Sequence, residues 1–530
     1  MQVLKVLILS ALVLGFAELA LPQPLPVSVT VAVDTSKSGP EIDRHIYGQF
    51  AEHLGRGIYD GIWVGTHSSI PNVHGYRTDV VDALKRLHVP VIRWPGGCFA
   101  DQYDWRDGIG PRSQRPLRIN TRWGGIPESN AFGTHEFLNF AELIGADAYI
   151  SGNMGSMAPL DMARWLEYMT AADQSSLAQE RRRNGRDKPW QIKYFGLGNE
   201  LFGCGGNMRA EYAADVTRRY SKFVNEPPGQ GLVKVAGGPD PNFALPDYTI
   251  FADTMMNNVQ GGFGELNFQA LSLHYYADYT LTPADERTTP VNKRATGFTE
   301  SDWSVALRAA LQMEPALAAM SVIMDRHDPE KKVALYVDEW GMWHEREPGT
   351  DRESLYQQNS LLDAEVAALT LNIFHRHTDR VKMANIAQMV NVLQAMILTD
   401  GQKMLLTPTY HIFEMYLPFQ GAIPYPATVS GLRYELDGHS LPAVDVSVAR
   451  GRDGKIYLAL VNLDPHRSAD LTTNLSGAAR GRILTGPDMD THNTFAAPEM
   501  IHPVPFASSN SGGKLTFALP AKSIAVVAIE

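Results

Sequence analysis

Two apolar runs in this chain each stop on a carboxylate. Tyr194-Phe-Gly-Leu-Gly-Asn-Glu200 has the composition of a buried strand and ends on Asn199-Glu200; Val333-Ala-Leu-Tyr-Val-Asp-Glu-Trp340 repeats the pattern and ends on Asp338-Glu339. Acids at the carboxyl ends of buried strands suit a (β/α)₈ barrel, whose active sites are built at that face. A carboxylate pair, one proton donor and one nucleophile or base, is the equipment of glycoside hydrolysis. The tips of the other apolar runs add Glu52, Cys98, His274, Tyr276, Trp340 and Gln388 to Asn199, Glu200 and Glu339. Acids, amides, an imidazole and aromatics of this kind hold hydroxyl-rich ligands. Taken singly, each has a bland reading as a loop acid or a core histidine, and their shared position at one end of successive strands favours a site.

The elements that position them alternate. Strands are expected at Ile46–Phe50, Pro90–Gly97, Ala146–Asn153, Tyr194–Glu200, Val233–Gly238, Leu271–Tyr276 and Val333–Trp340, with Met383–Leu398, carrying Gln388 and Asn391, as the eighth. Between them run helical patterns. Thr78 is expected to cap one with Val80, Val81, Leu84 and Leu87 on a common face. Others fall at Glu136–Ile144, Met162–Ala171 and Glu211–Val224, the last with Tyr212, Val216, Tyr220 and Phe223 in register. Beyond about Leu406 the helices cease. Val444–Val448, a Gly451-Arg-Asp-Gly454 turn and Ile456–Val461 form a hairpin, and strands at Leu515–Leu519 and Ile524–Ile529 complete an all-β, jelly-roll-like sandwich. Val27, Val29, Val31 and Val33 alternate with polar or small residues, which makes a half-buried strand able to join that sandwich. The division expected is residues 1–17 as an export signal, 18–42 as spacer and strand, 43–405 as barrel and 406–530 as sandwich.

Composition narrows the function. With 530 residues, 44% hydrophobic and 20% charged, the chain can bury a large core. Its formal charge of -11 argues against nucleic acid or an anionic membrane as partner. Lys5 ahead of the apolar run Val6–Phe16, with small residues up to Ala17, reads as a signal peptide, too short to span a bilayer, so a secreted or periplasmic protein with no membrane association after cleavage is expected. Pro95-Gly96-Gly97 lacks the Gly-Lys-Ser/Thr ending of a phosphate loop. His344, His375 and His377 lack zinc-ligand spacing and are expected at solvated positions, and Asn474-Leu-Ser476 is a chance sequon.

Six ordered motifs together resemble the α-L-arabinofuranosidases of glycoside hydrolase family 51: Gly48-Gln-Phe-Ala-Glu-His-Leu-Gly55, Arg93-Trp-Pro-Gly-Gly-Cys-Phe-Ala100, Asp107-Gly-Ile-Gly-Pro111, Gly198-Asn-Glu200 with Cys204-Gly-Gly-Asn207, Leu273-His-Tyr-Tyr276 and Val337-Asp-Glu-Trp340. The resemblance implies a retaining, exo-acting enzyme that releases arabinose from arabinan, arabinoxylan or their oligosaccharides. Glu200 falls on the general acid/base and Glu339 on the nucleophile, their carboxyl groups about 5 Å apart. Sugar-binding positions fall on Glu52, Cys98, Asn199, His274, Tyr276 and Gln388, with Trp340 beside them. Some family members carry Asn at the position of Cys98. Relatives are commonly hexamers, so a homo-oligomer is implied, and no metal or organic cofactor is. Because Cys98 points toward the sugar in that reading, Cys98 and Cys204 are expected as separate thiols. Two rivals stay open: a β-glucanase or β-xylosidase using the same acids, and a non-catalytic carbohydrate-binding barrel.

Overall fold

Eight short, largely buried strands close into a ring of parallel pairs in the computed structural model. The structure describes residues 25–172, 174–225, 231–241, 247–277, 293–350 and 354–530. The expected export signal at residues 1–17 lies outside them. Among the described residues no helix is long and apolar enough to cross a membrane.

Strand β1 is Val27–Val33, and the barrel strands are β2 Gly48–Phe50, β3 Val91–Trp94, β4 Asp147–Gly152, β5 Tyr194–Leu197, β6 Val233–Ala236, β7 Ala270–Ala277, β8 Ala334–Met342 and β9 Val381–Ile386. Ring order follows chain order, with β9 pairing β2 to close it. Both faces of such strands are covered, one by the lumen and one by helices, which is why they read as continuous apolar runs. Val91, Tyr149, Tyr194, Val235, Ala270, Tyr336 and Met383 fill the lumen as one cluster. Two residues further along three of these strands stand Arg93, Ser272 and Asp338, so the period of two carries polar groups into the layer above the plug.

The sandwich has two sheets. The five-stranded sheet runs Ala427–Gly431, β1, Ala469–Thr473, Lys514–Leu519, Ser509–Ser511; the six-stranded one runs Ile423–Tyr425, Val444–Arg450, Ile456–Asn462, Ser523–Ile529, Ala479–Thr485, Val504–Ala507. The N-terminal strand is interior, antiparallel to 427–431 on one side and parallel to 469–473 on the other. Its four valines pack against Val446, Val448, Leu458, Leu471 and Phe517. Helix Leu361–Arg376 binds the two units together: Asn372 Nδ2 donates to Asp445 at 2.7 Å and His375 Nδ1 meets the Ser447 hydroxyl at 2.8 Å.

Several expectations need correction. Helix Thr78–Arg86 begins at Thr78 rather than being capped by it; Arg77 precedes it and pairs with Asp79. In helix Ala210–Ser221, Tyr212 (57%) and nearby Phe223 (50%) are exposed, and the helix buries Tyr220 together with Ala213, Ala214 and Thr217, small residues that allow close approach to the barrel. The eighth strand stops at Ile386, and Ile397–Asp400 pairs instead with Lys403–Leu406. His344 and His375 are buried rather than solvated: His344 Nε2 lies 3.1 Å from Asp363, and His375 Nε2 2.8 Å from the Tyr47 hydroxyl. Asn474 is structural, its side-chain amide closing on both the N–H and the C=O of Val33.

Candidate active site

The carboxyl ends of the barrel strands bring Glu200 and Glu339 together, each 8% exposed, with one carboxylate oxygen of each and a nitrogen of His274 mutually within 4.8 Å. Glu339 comes from β8 and Glu200 from the loop after β5. Plain alternation along β8 would put Asp338 and Glu339 on opposite faces. A break in register lets both reach the lumen: His274 of β7 pairs with Glu339, whereas Ser272, two residues earlier, pairs with Tyr336. Glu200 holds a left-handed backbone, φ 40°, a conformation that costs a non-glycine residue energy and is concentrated at functional sites. Its carbonyl accepts from the N–H of Gly203 and of Gly205, which fixes the turn.

Glu339 is the better-held carboxylate. Arg93 Nη1 donates to its Oε2 at 2.8 Å and the Tyr276 hydroxyl to its Oε1 at 2.7 Å. Burial pushes its pKa up, but the charges of His274 and Arg93 outweigh that and hold it below the ordinary carboxyl value. His274 shows the reverse balance. Burial disfavours its cation, yet Glu339, Glu200 and Asp338 around it raise its pKa to about 9. Its Nδ1 lies 3.0 Å from Glu200 Oε1 and 3.5 Å from Glu339 Oε2, and its Nε2 3.5 Å from Asp338 Oδ1. The imidazolium therefore stands between both acids. Beneath them, Asp338 accepts from the hydroxyls of Tyr149 at 2.6 Å and Ser272 at 2.5 Å.

Asn199 and Glu52 line the same space. Arg93 Nη2 donates to Asn199 Oδ1 at 2.5 Å, which fixes the amide with its N–H₂ group turned to the other side, 3.6 Å from Cys204 Sγ. Glu52 Oε1 accepts from the Phe99 N–H at 3.0 Å and from Trp123 Nε1 at 2.9 Å, and its Oε2 from Gln388 Nε2 at 3.2 Å. Burial, with the Glu339 charge adding to it, pushes the Glu52 pKa to about 7. Gly97 leaves the floor open, since a Cβ there would sit 3.1 Å from Glu339 Oε2.

Of the nine residues picked from the sequence, the structure brings eight around this space. Trp340 is the exception: it points outward from β8, buried against Phe374 and Phe413, because it follows the inward-facing Glu339. The two cysteines also depart from expectation. Cys98 and Cys204 form a disulfide with Cα atoms 5.5 Å apart, joining the loops after β3 and β5. Both sequence positions follow site-face strands, and β3 and β5 flank β4 in the ring, which brings those loops together. Their sulfurs touch Glu200 Oε2 at 3.7 Å and 3.2 Å.

Arg93, Asp338 and Trp123 were not among the nine. Arg93 and Asp338 had a signal, a charge inside an apolar strand, which a buried strand tolerates only when the charge is paired. Trp123 lies in a loop between strands Arg118–Asn120 and Ile126–Glu128 with nothing local to mark it. Among the described residues, ligand atoms gather in two groups, Glu200–His274–Glu339 and Cys98–Glu200–Cys204. The first faces Arg93 and the His274 cation, which oppose a metal ion; the second has its sulfurs bonded to each other.

Comparison with known proteins agrees with this arrangement. The family model for the α-L-arabinofuranosidase 1 domain matches residues 83–280, and that for the α-L-arabinofuranosidase C-terminal domain matches residues 338–523. An intracellular exo-α-L-arabinofuranosidase of Bacteroides ovatus is 45% identical over 510 residues, 95% of this chain and 96% of that protein. The crystal structure of the family 51 arabinofuranosidase from Xanthomonas axonopodis pv. citri superposes with a TM-score of 0.90 at 50% identity, covering 95% of this chain and all of that one. That of the Thermotoga maritima α-L-arabinofuranosidase in complex with arabinose gives 0.80 at 28%, with the same coverage. The expectation of a secreted or periplasmic enzyme is overturned by the Bacteroides relative, which is named an intracellular one. With the barrel, the sandwich and matches across nearly its whole length in agreement, the chain belongs to glycoside hydrolase family 51 and is an α-L-arabinofuranosidase.

Proposed function

We propose that the enzyme works by double displacement with retention, removing terminal arabinofuranosyl groups from arabinan, arabinoxylan and their oligosaccharides. The observation that carries this reading is the approach of the Glu200 and Glu339 carboxylates to within 4.8 Å, the spacing of a nucleophile pair and too close to seat a water between acid and base. Glu339, held ionised by Arg93 and His274, attacks the anomeric carbon. Glu200, anchored by His274 on Oε1, keeps Oε2 for the proton that goes to the leaving oxygen. The same oxygen then takes a proton from the water that frees arabinose. Asn199, its carbonyl turned to Arg93, offers its N–H₂ group to the sugar 2-hydroxyl, a bond that strengthens as charge develops at the ring.

Neutral polysaccharide is consistent with a site whose charges are internally paired. The test is product analysis on arabinan and arabinoxylan oligosaccharides, with aryl xyloside and glucoside as controls. Arabinose alone, appearing from the first minutes, is the expected product. Longer fragments, or faster turnover of the xyloside or glucoside than of the aryl arabinofuranoside, would contradict the substrate assignment.

A further inference from the structure

The disulfide lies against the acid/base of the proposed mechanism, and opening it would leave three metal-ligand groups in one place. Cys98, Cys204 and Glu200 present ligand atoms all within 4.8 Å of one another. Glu200 Oε2 stands 3.2 Å and 3.7 Å from the two sulfurs, already near the roughly 3.5–3.8 Å that separates ligands around a tetrahedral zinc with bonds of about 2.0–2.3 Å. Only the sulfurs must part. Both cysteines are half-buried, so the bond is open to a small reductant from the pocket side. The other oxygen of Glu200 is held by His274 Nδ1 at 3.0 Å, the kind of outer contact that orients a ligating carboxylate.

We propose that reduction of Cys98–Cys204 creates an inhibitory site for a thiophilic divalent cation, held by the two thiolates and Glu200. A dithiol supplies two electrons and two protons, breaking the S–S bond to give two thiols and leaving as its own cyclic disulfide. The cation then displaces the two thiol protons, takes a lone pair from Glu200 and keeps a water in its fourth position. Glu200 can no longer donate its proton to the leaving group. The oxidised enzyme has no thiolate to offer, and Arg93 with the His274 cation opposes a metal at the neighbouring Glu200–His274–Glu339 group. The loss of activity rests on the acid/base role given to Glu200; the binding does not.

The test compares full-length enzyme, oxidised or reduced with a water-soluble phosphine that is then removed, against added Cd²⁺ and Zn²⁺. Two readouts are taken: the ultraviolet thiolate-to-cadmium band, and hydrolysis of an aryl arabinofuranoside whose leaving group requires the proton. The reduced enzyme should show the band at one cadmium per chain. With zinc at about a hundred times its Kd, activity should fall roughly a hundredfold and return on chelation. The oxidised enzyme should show neither effect, and reduced Cys204→Ser should not give the two-thiolate band. If Cys204→Ser does not fold, reduced wild-type enzyme alkylated at its thiols serves the same purpose. Absence of the band in the reduced enzyme, or equal zinc inhibition of the oxidised form, would overturn the proposal. A band without loss of activity would keep the site and refute the role of Glu200.

Discussion

Replacing Glu52 by Gln should stabilise the enzyme in alkaline solution and do little in acid. Glu52 is 2% exposed, and burial beside Glu339 raises its pKa from 4.5 to about 7. The folded state therefore binds this proton more tightly than the unfolded state. The stability cost is absent below about pH 4.5, grows as pH rises, and is complete above about pH 7. Ionising a carboxyl shifted that far costs about 3 kcal/mol. Spread over the unfolding entropy of a 530-residue chain, roughly 1 kcal/mol per degree, that is about 3 °C in Tm when the chain unfolds as one unit. Gln preserves the acceptor for Phe99 and Trp123. Its new amide N–H₂ can donate to Gln388 Oε1, which has no hydrogen-bond partner among the described residues, once the Gln388 amide turns over. Thermal scans without substrate at about pH 5 and about pH 8 measure the effect. His274, whose raised pKa adds stability that is lost as pH climbs from 6.5 through about 9, is common to both proteins and drops out of their difference. An equal Tm difference at the two pH values, or a variant that loses ground at pH 8, would show that the Glu52 proton is not where the geometry places it.

Loss of the His274 cation should pull kcat/KM down as pH rises through about 9, and His274→Gln should remove that limb from the pH profile. Arg93→Lys keeps the charge but cannot span Glu339 and Asn199 together; kcat should fall about 10- to 100-fold, the worth of one buried charged hydrogen bond, and an unchanged kcat would argue against Arg93 as the group that positions both. Removing residues up to Val33 takes an interior strand out of the five-stranded sheet, so the truncated chain should be cleaved within the sandwich by limited proteolysis under conditions that leave the intact enzyme whole.

Most of the barrel could be read from the sequence because parallel strands buried on both faces leave unbroken apolar runs, and the site residues stand at their ends. Joining β1 to the distant sandwich followed from four alternating valines that needed a cover. Period and position did not carry further than that. The turn of the backbone after Ile386, which places Gln388 at the site past the end of β9, has no periodic signal. The register break in β8 that lets Asp338 and Glu339 face inward together, and sends Trp340 outward, is a property of pairing with β7 and β9. Cys98 and Cys204 are 106 residues apart, and only the pairing of both their strands with β4 makes them neighbours. Tyr212 and Phe223 misled because aromatics on a helix suggest its buried face, whereas this helix packs through Ala213, Ala214 and Thr217.

The central claim, that Glu339 attacks and Glu200 handles the proton, is tested most directly by azide rescue. In Glu200→Ala an aryl arabinofuranoside with a good leaving group still reaches the glycosyl-enzyme, but no base activates water for the second step. Azide needs no base. It should accelerate turnover of Glu200→Ala and give an arabinosyl azide of the substrate's own anomeric configuration, after two inversions, while Glu339→Ala gives no such product. An azide of inverted configuration, or rescue of Glu339→Ala and not of Glu200→Ala, would contradict the assignment.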